Sequence, residues 1–296
     1  MIITKLFAGM GNQMFQYAAG KSLAIKWNVP LKLDLQSYKE DDFREFELHY
    51  FEIVDEVASE NEIAKMTDQP NNFILQKLHA FNQRISKKED KITLLNETSF
   101  KYDGRIEEAS KNTYLNGHWQ HFKYFESVSN EIRSLFQFKQ CYNYDFLAIY
   151  EKINKSECSV AIHTRRTDYH SSALNYTLSI DYYQEAIQLI ERKLQKNCTF
   201  FVFGEDVVWN QQMFGEMPNT SIICSNWPAA FDMQLISMCN HQIIANSTYS
   251  WWGAWLNANT EKLVIMPKQW FKEGAVWYNN EIPDTTGLYP MGWLTI

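Results

Sequence analysis

From Cys158 onward, short apolar runs alternate with stretches of helical spacing. The runs are Ser159 to Ile162, Thr199 to Phe203, Ser221 to Cys224, Gln242 to Ala245 and Leu263 to Met266. Between the first two, a helix opened by Ser179 or Asp181 sets Tyr183, Ile187, Ile190 and Leu194 on one buried face. Asp232 to Met238 and Tyr249 to Leu256 supply shorter helices. This repeat predicts a parallel sheet with crossover helices. The first half opens similarly, with a strand over Ile2 to Phe7, a helix over Met14 to Trp27 that buries Phe15, Ala18, Ala19 and Leu23, and a second strand over Leu31 to Leu35. From Lys39 to about Asn112 the chain reads as polar and irregular, with charged clusters at Glu40-Asp41-Asp42 and Lys87-Lys88-Glu89-Asp90-Lys91. Order returns at Tyr114 to His121 and in a helix predicted from Lys123 to Phe136.

A chain of 296 residues is long enough for two domains, and 45% hydrophobic with 21% charged residues describes a globular protein. A net charge of −7 argues against a nucleic-acid surface, so any phosphate recognition must be local. Cys141, Cys158, Cys198, Cys224 and Cys239 contain no C-x-x-C pair and read as reduced, buried thiols of a cytosolic protein. The N-terminus lacks the features of a signal peptide, no window has the apolar length of a membrane span, and the N-x-[ST] triplets read as chance matches.

Polar residues follow each predicted strand. His163-Thr164-Arg165-Arg166 ends the first strand of the second half, Gly204-Glu205-Asp206 the second, Ser225-Asn226 the third and Asn246-Ser247-Thr248 the fourth. In open parallel sheets ligands bind outside the carboxyl ends of strands. Arg165 and Arg166 there need an anion, either a phosphate or an internal acid such as Asp168. Ser247, Thr248 and Ser250 begin a helix, where hydroxyls and free amides suit a pyrophosphate or serve as a simple cap. Asp206 is placed to take guanine N–H groups or a ribose hydroxyl. Trp251, Trp252 and Trp255, with Trp270, Phe271, Trp277 and Tyr278 beyond, belong to the core or stack on sugars, and helical spacing favours the core. In the first half, Gly9 and Gly11 form a strand-to-helix turn, and Asp34 lies on the next strand. That suggests a dinucleotide fold and an NAD-dependent dehydrogenase, but Met14 occupies the third glycine position. His118 and His121 lack a third metal ligand nearby. A non-catalytic sugar-binding protein is a further reading of the tryptophans.

The chain resembles the bacterial alpha-1,2-fucosyltransferases, glycosyltransferase family 11. The segments that carry the resemblance are Phe7-Ala8-Gly9-Met10-Gly11-Asn12-Gln13-Met14-Phe15-Gln16-Tyr17-Ala18, Asn116-Gly117-His118-Trp119-Gln120 and His163 to Tyr169, with Asp232 to Cys239 running on to Ala245 through Trp255. The resemblance implies an α/β GT-B fold of two Rossmann-like domains facing across a cleft. An acceptor-side domain would span 1–150 and a GDP-fucose-binding domain 151–296, the last residues packing back on the first. It places the donor diphosphate on Arg165 and Arg166, with His163 near the nucleotide. Asn12 and Gln13 are expected to face the donor across the cleft. The family usually has glycine where Ala8 and Thr167 stand, tyrosine at His118 and serine at Gly204. Threonine after the arginine pair also occurs in alpha-1,6 relatives.

The implied reaction moves L-fucose from GDP-beta-L-fucose, with inversion, to the 2-hydroxyl of a galactose-terminated oligosaccharide or lipid-linked glycan. The chain has no Asp-x-Asp motif, so Arg165, Arg166 and the donors at Asn246 to Ser250 are expected to replace a metal at the leaving diphosphate, with no cofactor. Asp168, His163, Glu205 and Asp34 are all candidates for the general base. The expected place of action is the cytoplasm, with peripheral contact to the inner membrane.

Overall fold

The computed structural model describes residues 1–39, 41, 43–67, 90–277 and 280–296. The charged positions Glu40, Asp42 and Lys87 to Glu89, and Tyr278, lie outside the described residues. The chain divides into two compact units, Met1–Gln137 with Trp277–Leu288, and Phe138–Val276 with Tyr289–Ile296.

The first unit holds strands β1 (Ile2–Lys5), β2 (Leu31–Asp34), β3 (Glu56–Val57), β4 (Ile92–Asn96) and β5 (Asn112–Asn116). They form a sheet of order β3-β2-β1-β5-β4 in which every pairing is parallel. Helix α1 (Met10–Trp27) is buried over most of its length, because Met14, Phe15, Tyr17, Ala18, Ala19 and Leu23 all pack inward. It starts four residues before the predicted Met14, so Gly11 lies inside the helix. The sharp turn is made by Ala8, in the left-handed region at φ 62°. Helices α2 (Glu60–Thr67), α3 (Arg105–Glu108) and α4 (Ser129–Leu135), with short 3-10 turns, also belong to the unit among the described residues. The helix expected from Lys123 is only α4, because Phe125 leaves helical geometry at φ −134° to bury itself against Phe15.

The second unit holds β6 (Ser159–His163), β7 (Thr199–Phe203), β8 (Thr220–Ile222), β9 (His241–Ile243), β10 (Val264–Met266) and β11 (Leu294–Thr295). All pairings in its sheet, of order β11-β10-β9-β6-β7-β8, are parallel. Counted from β6, this is the order of doubly wound dinucleotide folds, and it reverses between β6 and β9. The helices are α5 (Tyr144–Lys155), α6 (Thr167–His170), α7 (Ile180–Leu194), α8 (Val207–Phe214), α9 (Ala229–Met238) and α10 (Thr248–Leu256). Tyr183, Ala186, Ile187 and Ile190 of α7 pack on Val160, Ile162, Phe200 and Val202. Burying the tyrosine and two isoleucines of this helix is worth on the order of 5–9 kcal/mol before the entropy of ordering is subtracted.

The units meet in sequence at Gln137–Phe138, ahead of the expected 150, because α5 straddles 150 and sets Phe146 against Trp227 and Phe231 inside the second unit. The returning segment is Trp277–Leu288, whereas the chain end closes the second sheet as β11. No helix among the described residues is long and apolar enough to cross a membrane.

Candidate active site

The reversal between β6 and β9 fixes where a ligand of the second sheet binds. His163 ends β6 there, buried, with its ring 5.1 Å from that of Tyr249. Burial, helped by the Arg165 charge, pushes its pKa down to about 3, so the imidazole is neutral near pH 7. Thr164 turns back into the sheet, donating from Oγ1 to Asn210 Oδ1 at 2.8 Å. Gly204 packs against it at φ 149°. A Cβ there would lie 2.1 Å from Thr164 Oγ1 and 2.6 Å from its carbonyl oxygen, so the family's serine does not fit this backbone.

The two arginines part company. Arg165 donates from Nη2 to Asp168 at 2.6 Å, its Nη1 stands 3.3 Å from Glu205, and its guanidinium lies 5.5 Å from the Tyr169 ring centre. Thr167 donates to the same Glu205 at 2.9 Å, a contact that the family's glycine cannot make. Arg166 points the other way. It stacks on Trp209 at 4.0 Å, approaches the Leu178 carbonyl at 3.5 Å and pairs with Asp206 at 3.5 Å. Asp206 also caps α8 by accepting from Trp209 N–H at 3.0 Å. The structure thus holds Arg165 between two acids with part of its fork unused, and seats Arg166 and Asp206 as a brace under α8.

Across the reversal, Asn246 donates to the Tyr176 and Trp270 carbonyls at 3.0 and 2.9 Å, and its own carbonyl accepts from Tyr169 at 2.9 Å. Ser247 is buried and precedes α10, whose first residue is Thr248. Ser250, expected at a phosphate, is wholly buried and donates inward to Ala245 and Ser247 carbonyls at 3.3 and 3.2 Å. Trp251 and Trp252 are fully buried and Trp255 nearly so, which makes all three core. Among the buried side-chain atoms with no hydrogen-bond partner in the protein are His163 Nδ1 and Asn246 Oδ1, both at this edge. Unpaired buried polar atoms are rare and costly, so their gathering marks the edge as a place for polar ligand atoms.

The first unit's edge is closed on itself. Gln13 donates to the Ala8 and Glu45 carbonyls at 2.9 and 2.8 Å and accepts from Glu47 N–H at 2.9 Å. Its amide is therefore engaged within the protein. Glu47 in turn accepts from Met10 N–H at 2.9 Å, a carboxylate at the start of α1 where a dinucleotide fold holds phosphate. Asp34 is buried, accepting from Tyr114 at 2.5 Å and from Gln36 N–H at 2.9 Å. With that anion place and acid both taken, the dehydrogenase reading loses its site. Gly9 is the extended residue before the helix, and Asn12 accepts from Gln120 at 2.6 Å. His118 lies between Phe7 and Trp277, ring centres 4.8 and 5.1 Å away, and burial lowers its pKa to about 4. His121 accepts from Lys123 N–H at 3.2 Å. No group of three metal-ligating side chains occurs among the described residues.

Sequence reasoning missed Glu47, Glu97 and Asp232. Glu97 accepts the backbone N–H groups of His118 and Trp119 at 2.7 and 3.1 Å, which shapes the turn after β5. Asp232 accepts from Ser225 and Trp227 at 2.5 and 2.8 Å, and burial pushes its pKa up to about 6. Asp232 opens the recognised 232–239 segment, which was the available signal.

The family model described as Glycosyl transferase family 11 matches residues 59–276. The chain is 33% identical over 293 residues to the O-antigen biosynthesis glycosyltransferase WbnK of Escherichia coli, covering 90% of this chain and 93% of that one. It is 29% identical over 286 residues to an alpha-1,2-colitosyltransferase of Escherichia coli, covering 92% and 93%. Its fold is similar to that of the fucosyltransferase NodZ from Bradyrhizobium, with a TM-score of 0.53 at 16% identity over 86% of this chain and 92% of that one. NodZ has also been crystallised with GDP.

Proposed function

The chain belongs to glycosyl transferase family 11 and has the two-domain α/β GT-B fold. From that premise we propose that it moves L-fucose from GDP-beta-L-fucose to the 2-hydroxyl of a terminal galactoside, with inversion and without a divalent cation. The observation that carries this reading is Arg165, held by Asp168 and Glu205 beside the reversal between β6 and β9. In an in-line displacement the leaving diphosphate gains charge as the sugar becomes oxocarbenium-like. A fixed guanidinium stabilises that charge without reorganising. His163 Nδ1 and the start of α10 supply further polar groups at the same edge. Asp34 is too buried to serve as base, and His163 is covered as well.

The O-antigen glycosyltransferase relative supports a glycan acceptor, and with it action at the cytoplasmic face of the inner membrane on a lipid-linked saccharide. The colitosyltransferase relative supports a second donor, since colitose is fucose without its 3-hydroxyl. One experiment separates these readings. Purified enzyme is offered GDP-fucose or GDP-colitose with lactose, with and without EDTA, and the product linkage is read by NMR. An alpha-1,2-fucosylated product formed equally in EDTA is the expected result. Faster turnover of GDP-colitose would replace the donor, and activity lost in EDTA and restored by Mn2+ would overturn the cation-free mechanism.

A further inference from the structure

The candidate diphosphate site of the second unit is acidic before any ligand arrives. Arg165 and Arg166 bring two positive charges, whereas Asp168, Glu205 and Asp206, each paired with one of them, bring three negative ones. His163 is neutral near pH 7 and adds none. A diphosphate therefore enters against an excess of negative charge, and like charges brought together at a binding site cost affinity. The three acids are not equally free to give way. Asp168 accepts from Arg165 Nη2 at 2.6 Å and so holds the guanidinium in place. Asp206 is occupied twice, by Arg166 Nε at 3.5 Å and by the Trp209 N–H that it caps at 3.0 Å. Glu205 arrives from beyond β7 and meets Arg165 Nη1 at the longer distance of 3.3 Å.

Glu205 has somewhere else to go. The oxygen that meets Arg165, Oε1, also accepts from Thr167 Oγ1 at 2.9 Å, so the carboxylate keeps a hydrogen bond when it leaves the arginine. Its side chain is 31% exposed, and water solvates it in either position. Arg165 can thus pass Nη1 to a phosphate oxygen while Asp168 keeps Nη2. Chemistry gives this exchange a direction. Donor and product share one diphosphate, but departure of the sugar frees a terminal phosphate that takes on a further negative charge. A carboxylate competing for Arg165 repels the more highly charged species more strongly. We propose that Glu205 is the product-release residue of this site: it yields Arg165 Nη1 to the donor and competes for it against GDP, which lowers product affinity more than donor affinity. The inference rests on the GDP-fucose reading above.

The test measures GDP and GDP-fucose affinities by calorimetry, without acceptor, for wild type, Glu205→Gln, Glu205→Asp and Arg165→Ala. Glutamine keeps an acceptor for Thr167, so the substitution removes the charge and leaves the hydrogen bond. The expected result is a GDP dissociation constant about 10-fold lower in Glu205→Gln, a smaller fall for GDP-fucose, and values near wild type in Glu205→Asp. Damage to the fold loses affinity, so a gain reports the charge itself. Unchanged or weaker GDP binding in Glu205→Gln, with binding lost in Arg165→Ala, overturns the proposal and leaves the donor reading standing. If turnover on lactose is then about 100-fold lower, Glu205 takes the hydroxyl proton instead. Equal tightening of GDP and GDP-fucose overturns the proposal as well. Wild type that binds no GDP, or Arg165→Ala that binds it equally well, brings down the donor reading and the release role with it.

Discussion

Two strand-to-helix turns, after β1 and after β6, occupy equivalent places in parallel sheets yet do opposite things. After β1 the helix start is met by Glu47, and Gln13 spends its amide on three backbone groups. After β6 two arginines face three acids, and the buried His163 Nδ1 and Asn246 Oδ1 have no hydrogen-bond partner in the protein. The first turn carries the glycines and looks from sequence like the ligand loop. The second has none before Gly204 and gathers the arginines and acids on which the proposed function rests. Topology supplies an edge for binding, and the side chains brought to it decide whether it is used.

The sharpest way to break this comparison is Arg165→Ala. Loss of a fixed donor to the leaving group should lower kcat about 100- to 1000-fold with little change in melting temperature. Arg166→Ala should do the reverse, destabilising α8 with a smaller effect on turnover. Equal kinetic loss from both would mean that the pair acts as one clamp. Next in size is acid sensitivity of the first edge. His118 has its folded pKa depressed to about 4 from 6.5, so its contribution is complete above pH 6.5 and is lost as pH falls toward 4. The limit is roughly 3 kcal/mol. Melting temperatures at pH 7.5 and 5 should converge in His118→Gln.

Gly204→Ala tests the second turn, where a Cβ meets Thr164. A loss of about 2–3 kcal/mol by denaturant unfolding is expected, and a neutral result would show that the backbone yields. Glu47→Ala should cost about 1–2 kcal/mol by exposing the start of α1, without altering donor affinity. Donor affinity that changed with it would make the first edge a second nucleotide site. The smallest effect carries the opposite sign. Ala8→Gly relieves the left-handed strain at φ 62° and should stabilise by about 0.5 kcal/mol, the gain being offset by a freer unfolded chain.

Strands β6, β7, β9 and β10 of the second sheet were legible because they are buried almost throughout, Phe200-Phe201-Val202-Phe203 most plainly, whereas β11, a half-buried Leu294 and an exposed Thr295, was not. The first sheet hid β3, two exposed residues with no pattern, and β4, whose Ile92, Thr93 and Leu94 are only partly covered. Gly11 misled because packing in the core outweighed its poor helix propensity. In the site, Arg165 and Arg166 were visible as a pair. Their separate roles were not, because these depend on Glu205 and Asp206, which arrive from the end of β7. Glu47 and Glu97 bind backbone groups of distant turns, and no local pattern announces such a contact.

Glu47 also bears on stoichiometry. A chain built from two sheets of this kind offers two addresses for one diphosphate, and each molecule would squander donor if both answered. A carboxylate anchored at Met10 is a tethered decoy: it is covalently part of the chain, always at full local concentration, and cannot be washed away. The first sheet thus behaves as a saturated receptor, and on the proposed function the enzyme takes one donor per chain.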